Sequence, residues 1–335
     1  MSSVRSKAFT VEKLSKQFRT VPAVTEVSFS VTAGATAALV GPAGAGKTTI
    51  LRIVLGLLAP TSGTVEVEGP GTGKRRLGSE PAAGPTHLVG GMLMPRGLLP
   101  RRTVRDHLRV YAAAAGIGDL RVEQVLDMVG LGEQAGVKTD ALPIGPQTRL
   151  ALATALLGDP PLLVLDDPMA GLEPAERGWL QDFLRRHTRR GGTVLLSSQT
   201  LSAVLPGADQ LIVLNAGSVV YQGSPSRLRR SHPDRLVVAA ATPIALATML
   251  AARGLTDAVI RPDGRLAVAD ASEAQIRDAA VAAGVRVDSI VTDAIHPDRV
   301  LASLLNKPAA PASAGSAANH PAPHHPTPTP YGIPR

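Results

Sequence analysis

The sequence predicts an α/β fold, a largely parallel sheet with crossover helices, followed by a small α+β unit. Three observations carry that expectation. The run Thr36–Val40 reads as a short buried strand that enters a glycine-rich turn and then a helical stretch at residues 47–58. Pro160-Pro161 breaks a helical region, and the uninterrupted apolar run Leu162–Leu165 follows it, as in a strand covered on both faces. Beyond this point strands and helices alternate, the order of a parallel sheet with crossover helices.

In chain order, Val27, Phe29 and Val31 alternate with polar residues as in a half-buried strand. Residues 100–160 read as mostly helical, with Val104, Leu108 and the stretch from Tyr111 to Ala115 at helical spacing, so a helical subdomain is expected at about 95–160. A helix at 175–190 and strands at 193–197 and 210–214 complete a first domain over residues 8–230. A second module, residues 235–305, reads as strand 236–240, helix 244–253, strands 258–260 and 266–268, helix 273–283 and strand 285–291. That βαββαβ order is ferredoxin-like. Over residues 306–335 Ala, Pro, Ser and His dominate and apolar periodicity is lost, the composition of a disordered tail. His320, His324 and His325 lie there without a scaffold to fix metal-ligand geometry.

Composition narrows the class. The chain of 335 residues is long enough for one full domain and a smaller one. Aromatics are only 2% against 44% hydrophobic residues, so the core must be built from Ala, Val and Leu. With no cysteine, disulfides and thiolate metal sites are excluded, in keeping with a reducing compartment. The net charge of +8 permits contact with nucleic acid or an anionic membrane without choosing between them. Its basic runs, such as Lys74-Arg75-Arg76, Arg185-Arg186 and Arg189-Arg190, are scattered and read as solvated faces. No apolar h-region opens the sequence, so no signal peptide is expected. No segment approaches the about 18 apolar residues of a membrane helix, so any transport role requires a separate membrane partner.

The chemistry begins at Gly41-Pro42-Ala43-Gly44-Ala45-Gly46-Lys47-Thr48, which fits G-x-x-x-x-G-K-[ST] between a strand and a helix. Gly41, Gly44 and Gly46 let the backbone curl until its N–H groups face phosphate oxygens, and the following helix adds its positive N-terminal dipole. In this pattern Lys47 reaches the β- and γ-phosphates and the Thr48 hydroxyl ligates Mg²⁺; Ala45 and Thr49 complete the nucleotide-binding set. Asp166 closes the apolar run Leu162–Leu165, where a Walker B carboxylate holds the Mg²⁺ shell. An acid at a strand end is often only a cap, but the upstream P-loop favours the metal role.

With these residues in place, residues 8–230 resemble the nucleotide-binding domain of ABC transporters. The resemblance implies a P-loop NTPase fold, an ABC-type cassette, with ATP and Mg²⁺ as ligands. It places Phe18 where the family stacks an aromatic on adenine, although the residue alone fits a core position equally well. It places 142–147 at the LSGGQ signature, the stretch from Leu165 to Pro174 at the Walker B and D-loop block, and 193–199 at the strand ending in the switch histidine. The layout with a C-terminal module is similar to the ATPase subunits of ABC-2-type drug and antibiotic exporters.

The departures from that pattern fall on its chemistry. The catalytic Glu is Asp167, one methylene shorter, and a displacement of about 1 Å can cost on the order of 10²-fold in rate. The switch His is Gln199, which can donate a hydrogen bond but carries no proton at neutral pH. The signature Ser is Pro143, and with Pro146 it removes a hydroxyl and two backbone donors. The Q-loop position falls near Met94 and the D-loop Asp is Glu173. Asp167 and Gln199 are therefore the candidate catalytic pair of a chain that binds ATP and hydrolyses it slowly, whereas a divergent but working enzyme is the plainer alternative.

The resemblance implies an exporter's ATP-binding subunit on the cytoplasmic face of the membrane, partnered by an integral permease and a second cassette, identical or not. Arg96, Arg101, Arg102 and Arg105 flank the region where the family meets its membrane subunit; a docking role is one reading, and a solvated surface is the plainer one. A non-transport ABC ATPase acting on DNA or ribosomes, or a regulatory ATP-binding protein, is the alternative class. Zinc modules, long coiled coils and a second cassette are not visible here, so no nucleic-acid partner is expected.

Overall fold

A computed structural model of the chain describes residues 7–69, 73–77, 88–232, 234–293 and 296–306. The first part runs β1 (Lys7–Phe18), β2 (Val21–Thr32), β3 (Thr36–Val40), α1 (Lys47–Val54), β4 (Ser62–Gly69), β5 (Gly73–Leu77) and β6 (Val89–Met92). Helices α2 (Val104–Ala114), α3 (Asp119–Val129) and α4 (Ile144–Leu156) follow, then β7 (Leu162–Leu165), α5 (Pro174–Arg189), β8 (Thr193–Ser198), β9 (Gln210–Asn215), β10 (Ser218–Gly223) and α6 (Pro225–Ser231). The second part runs β11 (Arg235–Ala240), α7 (Pro243–Ala252), β12 (Ala258–Ile260), β13 (Leu266–Ala269), α8 (Glu273–Ala283), β14 (Val287–Asp293) and α9 (Pro297–Asn306).

The central sheet has the order β10-β9-β3-β8-β7-β6 and is parallel except for its β10 edge. Strands β3, β7 and β8 are buried along their whole length. Because successive side chains point to opposite faces, these strands feed two cores. Ala38, Val40, Leu163, Leu165 and Leu196 pack with the helical side, including Leu108, Leu126 and Leu152. Ala37, Leu39, Leu162, Val164 and Leu195 pack with α1 and with the antiparallel sheet β2-β1-β4-β5. Each fully buried Leu or Val contributes about 1.5–3 kcal/mol, so the two-faced packing fixes where the strand ends lie. The loops leaving the carboxyl ends of β3, β7 and β8 therefore meet, which is where parallel sheets bind ligands.

Helix α1 is shorter than the residues 47–58 expected, because Gly56 adopts φ 72 and turns the chain just after the helix. The region 100–160 divides into three helices, with Gly130 in the left-handed conformation capping α3.

In the second part α7 and α8 cover one face of an antiparallel sheet of order β12-β13-β11-β14. Val238, Leu246, Leu250, Leu266, Val268 and Ile276 form its own core. A capping box at Ser272 and Gln275 starts α8. This is the ferredoxin-like order expected for the small module. Its last segment requires a correction. Helix α9 includes Asn306 and does not join the second core; Val300, Leu301 and Leu304 are buried in the first core beside Leu201, Val204, Leu211 and Val213. Their i, i+1, i+4 spacing makes one apolar face that the sheet around β9 can cover. The expected tail 307–335, with His320, His324 and His325, lies outside the described residues.

Candidate functional site

The turn from β3 into α1 is shaped by close approach. A Cβ on Gly41 would sit 2.2 Å from the Leu214 carbonyl oxygen, and one on Gly46, where φ is 91°, 2.5 Å from that of Ala23. Gly46 is the N-cap of α1 and offers no side chain to its first amides. Those donors and the helix dipole make an anion-binding turn. Lys47 is buried against it, donating to the Gly41 carbonyl at 2.6 Å and the Pro42 carbonyl at 2.8 Å. Burial lowers the pKa of its ammonium, while Asp167 and Asp166 act in the opposite direction. Ala45 is buried, and Thr48 and Thr49 follow in the first turn of α1.

Thr48 Oγ1 donates to both Asp166 carboxylate oxygens, at 2.9 and 3.2 Å. Asp166 is buried and receives a second hydroxyl, Ser197 Oγ, at 2.6 Å. That same Ser197 oxygen accepts the Asp167 backbone N–H at 2.9 Å, so the end of β8 positions both acids. Ser197 carries no signal in the sequence beyond its place on a buried strand. The Thr48 hydroxyl and the Asp166 carboxylate converge beside Lys47, a hard-oxygen pair that fits Mg²⁺ bound with nucleotide phosphates. These two residues would hold the ion, which neutralises phosphate charge when bound.

Asp167 adopts φ 44, a left-handed conformation that Asp tolerates better than most residues. Burial raises its pKa and the neighbouring Asp166 adds to the rise, while Gln199 and Lys47 oppose it. Gln199 Nε2 reaches Asp167 Oδ2 at 3.4 Å, a long contact for an N–H···O bond. The structure thus brings together Gly41, Gly44, Ala45, Gly46, Lys47, Thr48, Thr49, Asp166, Asp167 and Gln199 at the ends of three strands.

Phe18 stands apart from both cores. It closes β1 at 47% exposure with Lys16 Nζ 5.3 Å above its ring, so it is available for stacking. Pro143 is the N-cap of α4 and supplies no side-chain cap. Gln147 closes that turn, its amide N–H donating to the Pro143 carbonyl at 3.0 Å and its side chain to the Leu142 carbonyl at 2.8 Å. Pro146 falls in the first turn, where helix amides are unpaired anyway, so the fold tolerates it while the helix end loses a donor.

The segment around Met94 is tied inward by Arg96, which donates to Thr148 Oγ1 at 2.9 Å and to the Ala170 carbonyl at 3.3 Å. Arg105 pairs with Glu123 at 2.7 Å, whereas Arg101 and Arg102 are exposed. Arg96 is thus half-buried and braces α4 against the loop after β7, so it is not the freely solvated side chain expected of it. Glu173 occupies the N-cap position of α5 without a side-chain capping bond, and in the first turn of α5 Glu176 holds Arg149 of α4 at 3.0 Å with the guanidinium 4.1 Å above Trp179. Among the described residues no helix is long and apolar enough to cross a membrane.

A P-loop, a strand-end acid pair and a helical subdomain on one parallel sheet define a nucleotide-binding cassette. The sequence profile described as ABC transporter matches residues 24–170. The Nod factor export ATP-binding protein I of Rhizobium etli is 34% identical over 220 residues, covering 64% of this chain and 67% of that protein. A sulfate/thiosulfate import ATP-binding protein of Chromobacterium violaceum is 33% identical, covering 69% of this chain and 63% of that one. Among solved structures, an ATP-binding subunit of an ABC transporter aligns at 25% identity and TM-score 0.59, covering 67% of this chain and 92% of that one. A dimeric ATP-binding cassette in a post-hydrolysis state with ADP and Pi aligns at 21% identity and TM-score 0.58, covering 65% of this chain and 98% of that one, and shows the same fold. The chain belongs to the ATP-binding subunits of ABC transporters. Members of this family are P-loop ATPases that bind ATP, typically with Mg²⁺, and pair with membrane permeases.

Proposed function

We propose that this chain is the ATP-binding subunit of an exporter, one that grips Mg-ATP and turns it over slowly. The observation behind slow turnover is the pair Asp167 and Gln199, whose side chains meet only at 3.4 Å, beside an unaltered phosphate cradle. Lys47 binds the β- and γ-phosphates, Thr48 and Asp166 hold the metal shell, and Asp167 with Gln199 orients the attacking water. Phe18 supports adenine from the end of β1. The exporter direction draws on the Nod factor export proteins among its relatives and on the layout with a C-terminal module.

A partly apolar cleft of about 560 Å³ supports docking on a permease at the cytoplasmic face of the membrane. It is lined by Leu55, Leu93, Pro95, His107, Tyr111 and Thr154, next to the segment where the family meets its membrane subunit. The second cassette is either an identical chain or a partner with its own motifs.

Detergent-solubilised native membranes should yield a polytopic permease with the tagged chain, and Lys47→Ala should weaken binding of a fluorescent ATP analogue at least about tenfold. Repeated recovery of soluble or nucleic-acid partners alone would overturn the transporter assignment. Undiminished binding by Lys47→Ala would overturn the assignment of the nucleotide site.

A further inference from the structure

Gln199 sits in a short span between two anchors. On one side, Ser198 ends β8, its carbonyl accepting the Gly41 N–H at 3.2 Å, and its hydroxyl is bonded to the backbone of Thr200. On the other side, Leu201 and Ser202 begin a helical turn, with Leu205 N–H donating to the Leu201 carbonyl at 3.1 Å. The first amides of such a turn have no partner within it. Both are satisfied from 96 and 97 residues away: Asp298 Oδ1 accepts the Leu201 N–H at 2.9 Å and the Ser202 N–H at 3.3 Å. Asp298 Oδ2 accepts the Ser202 hydroxyl at 2.9 Å.

We infer that Asp298 is a positioning residue for Gln199, and through it for Asp167, acting as an N-cap supplied by another part of the chain. The inference rests on the catalytic reading of Gln199 given above. Asp298 is itself held firmly. Its helix α9 is seated by Val300, Leu301 and Leu304 in the core that contains Leu201, and its far end is pinned where Asn215 Nδ2 donates to the Leu305 carbonyl at 2.9 Å. The side chain of Leu201 is fully buried, so α9 and the core fix that residue from two directions. Gln199 and Thr200 are exposed and have no such packing. Their placement depends on the anchors at either end, and a loosened anchor widens the 3.4 Å contact between Gln199 and Asp167.

The test is single-turnover ATP hydrolysis by the full chain, with enzyme in excess, alongside the Kd of a fluorescent ATP analogue and the melting temperature. Asp298→Ala is expected to lower the hydrolysis rate about tenfold while Kd stays within about twofold, because a sub-ångström misplacement is felt in the chemical step. Asp298→Asn keeps an oxygen facing both amides and should restore most of the rate. Ser202→Ala removes one of the three bonds without touching α9 and should cost about two- to threefold, which serves if Asp298→Ala folds poorly. Placed on Gln199→Ala, Asp298→Ala should cause no further loss, as expected for two residues acting in series.

An equal proportional loss in the Gln199→Ala background would overturn the positioning role, and so would a rate unmoved by Asp298→Ala where Gln199→Ala lowers it. If Gln199→Ala itself leaves the rate unchanged, the catalytic reading of Gln199 falls first and takes the role of Asp298 with it.

Discussion

Replacing Asp167 by Glu together with Gln199 by His should raise ATP hydrolysis, at a small cost in stability. The Asp167 carboxylate lies 3.4 Å from Gln199 Nε2, beyond the usual N–H···O distance of about 2.9–3.0 Å. One added methylene extends the reach of the carboxylate by about 1.5 Å. Since a misplacement of about 1 Å can cost on the order of 10²-fold, the repaired pair is expected to gain roughly 10- to 100-fold in single-turnover rate. The opposing term is backbone strain. Asp167 sits at φ 44, and Glu tolerates the left-handed region less well, at a cost of roughly 1 kcal/mol. For a domain of about this size that lowers Tm by about 2–4 °C. Phosphate release with enzyme in excess measures the gain, and thermal melts measure the cost. A repaired variant no faster than the parent would refute the reasoning. A parent already turning over at about 10 per second would do the same.

Three further outcomes follow, two from the geometry and one from the composition. Hydrolysis should increase with pH through a pKa above the ordinary Asp value of about 3.9, because burial raises that of Asp167 and only its ionised form orients water. The stability sign is opposite: a carboxyl whose folded pKa is raised stabilises below its unfolded pKa and loses that contribution as pH rises through the folded value. Asp167→Asn should flatten this part of both profiles, and unchanged profiles in that variant would reject the assignment. A chain ending after Asn306 should melt as the parent does, since the Pro- and Ala-rich remainder has no composition for a core. By contrast Leu301→Ala, which truncates a buried side chain in α9, should cost about 2–5 kcal/mol by denaturant titration.

The parts visible in the sequence are those whose physics is local. The P-loop is a run of glycines ahead of Lys47, and β7 is an apolar run with an acid at its end; each carries its signal within ten residues. The strands of the second part alternate with helices at short spacing, so their order could be read directly. Contacts between distant segments could not. Nothing near Ser197 indicates that its hydroxyl bridges Asp166 to the Asp167 amide, because the bond depends on the β7–β8 pairing. Helix α9 was hidden for the same reason: its apolar face matches the first core, while its place in the chain lies beyond the second. Arg96 resembled a surface arginine until Thr148 and Ala170, distant in sequence, were brought to it.

The remaining question is how the altered positions divide between two nucleotide sites. Cassettes of this family dimerise, and the resemblance implies that each ATP lies between one chain's P-loop and the other's signature. In a homodimer both sites would join Asp167 and Gln199 to the Pro143 turn. There the end of α4 presents the amides of Ile144 and Gly145 with no N-cap side chain, and Pro143 and Pro146 have no N–H to add to them. With an unaltered partner the deficits would separate: one site would pair Asp167 and Gln199 with a good signature, and the other would pair the partner's catalytic residues with Pro143. Adding Pro143→Ser to the repaired Asp167→Glu, Gln199→His chain restores a hydroxyl and an amide at a helix N-terminus that faces phosphate. One such donor is worth on the order of 10²-fold in transition-state stabilisation. The triple variant alone should therefore exceed the double variant in steady-state phosphate release, with the difference growing at protein concentrations that favour the dimer. If the triple variant is no faster than the double variant at any concentration, the Pro143 turn does not face a nucleotide in the homodimer, and slow turnover rests on Asp167 and Gln199 alone.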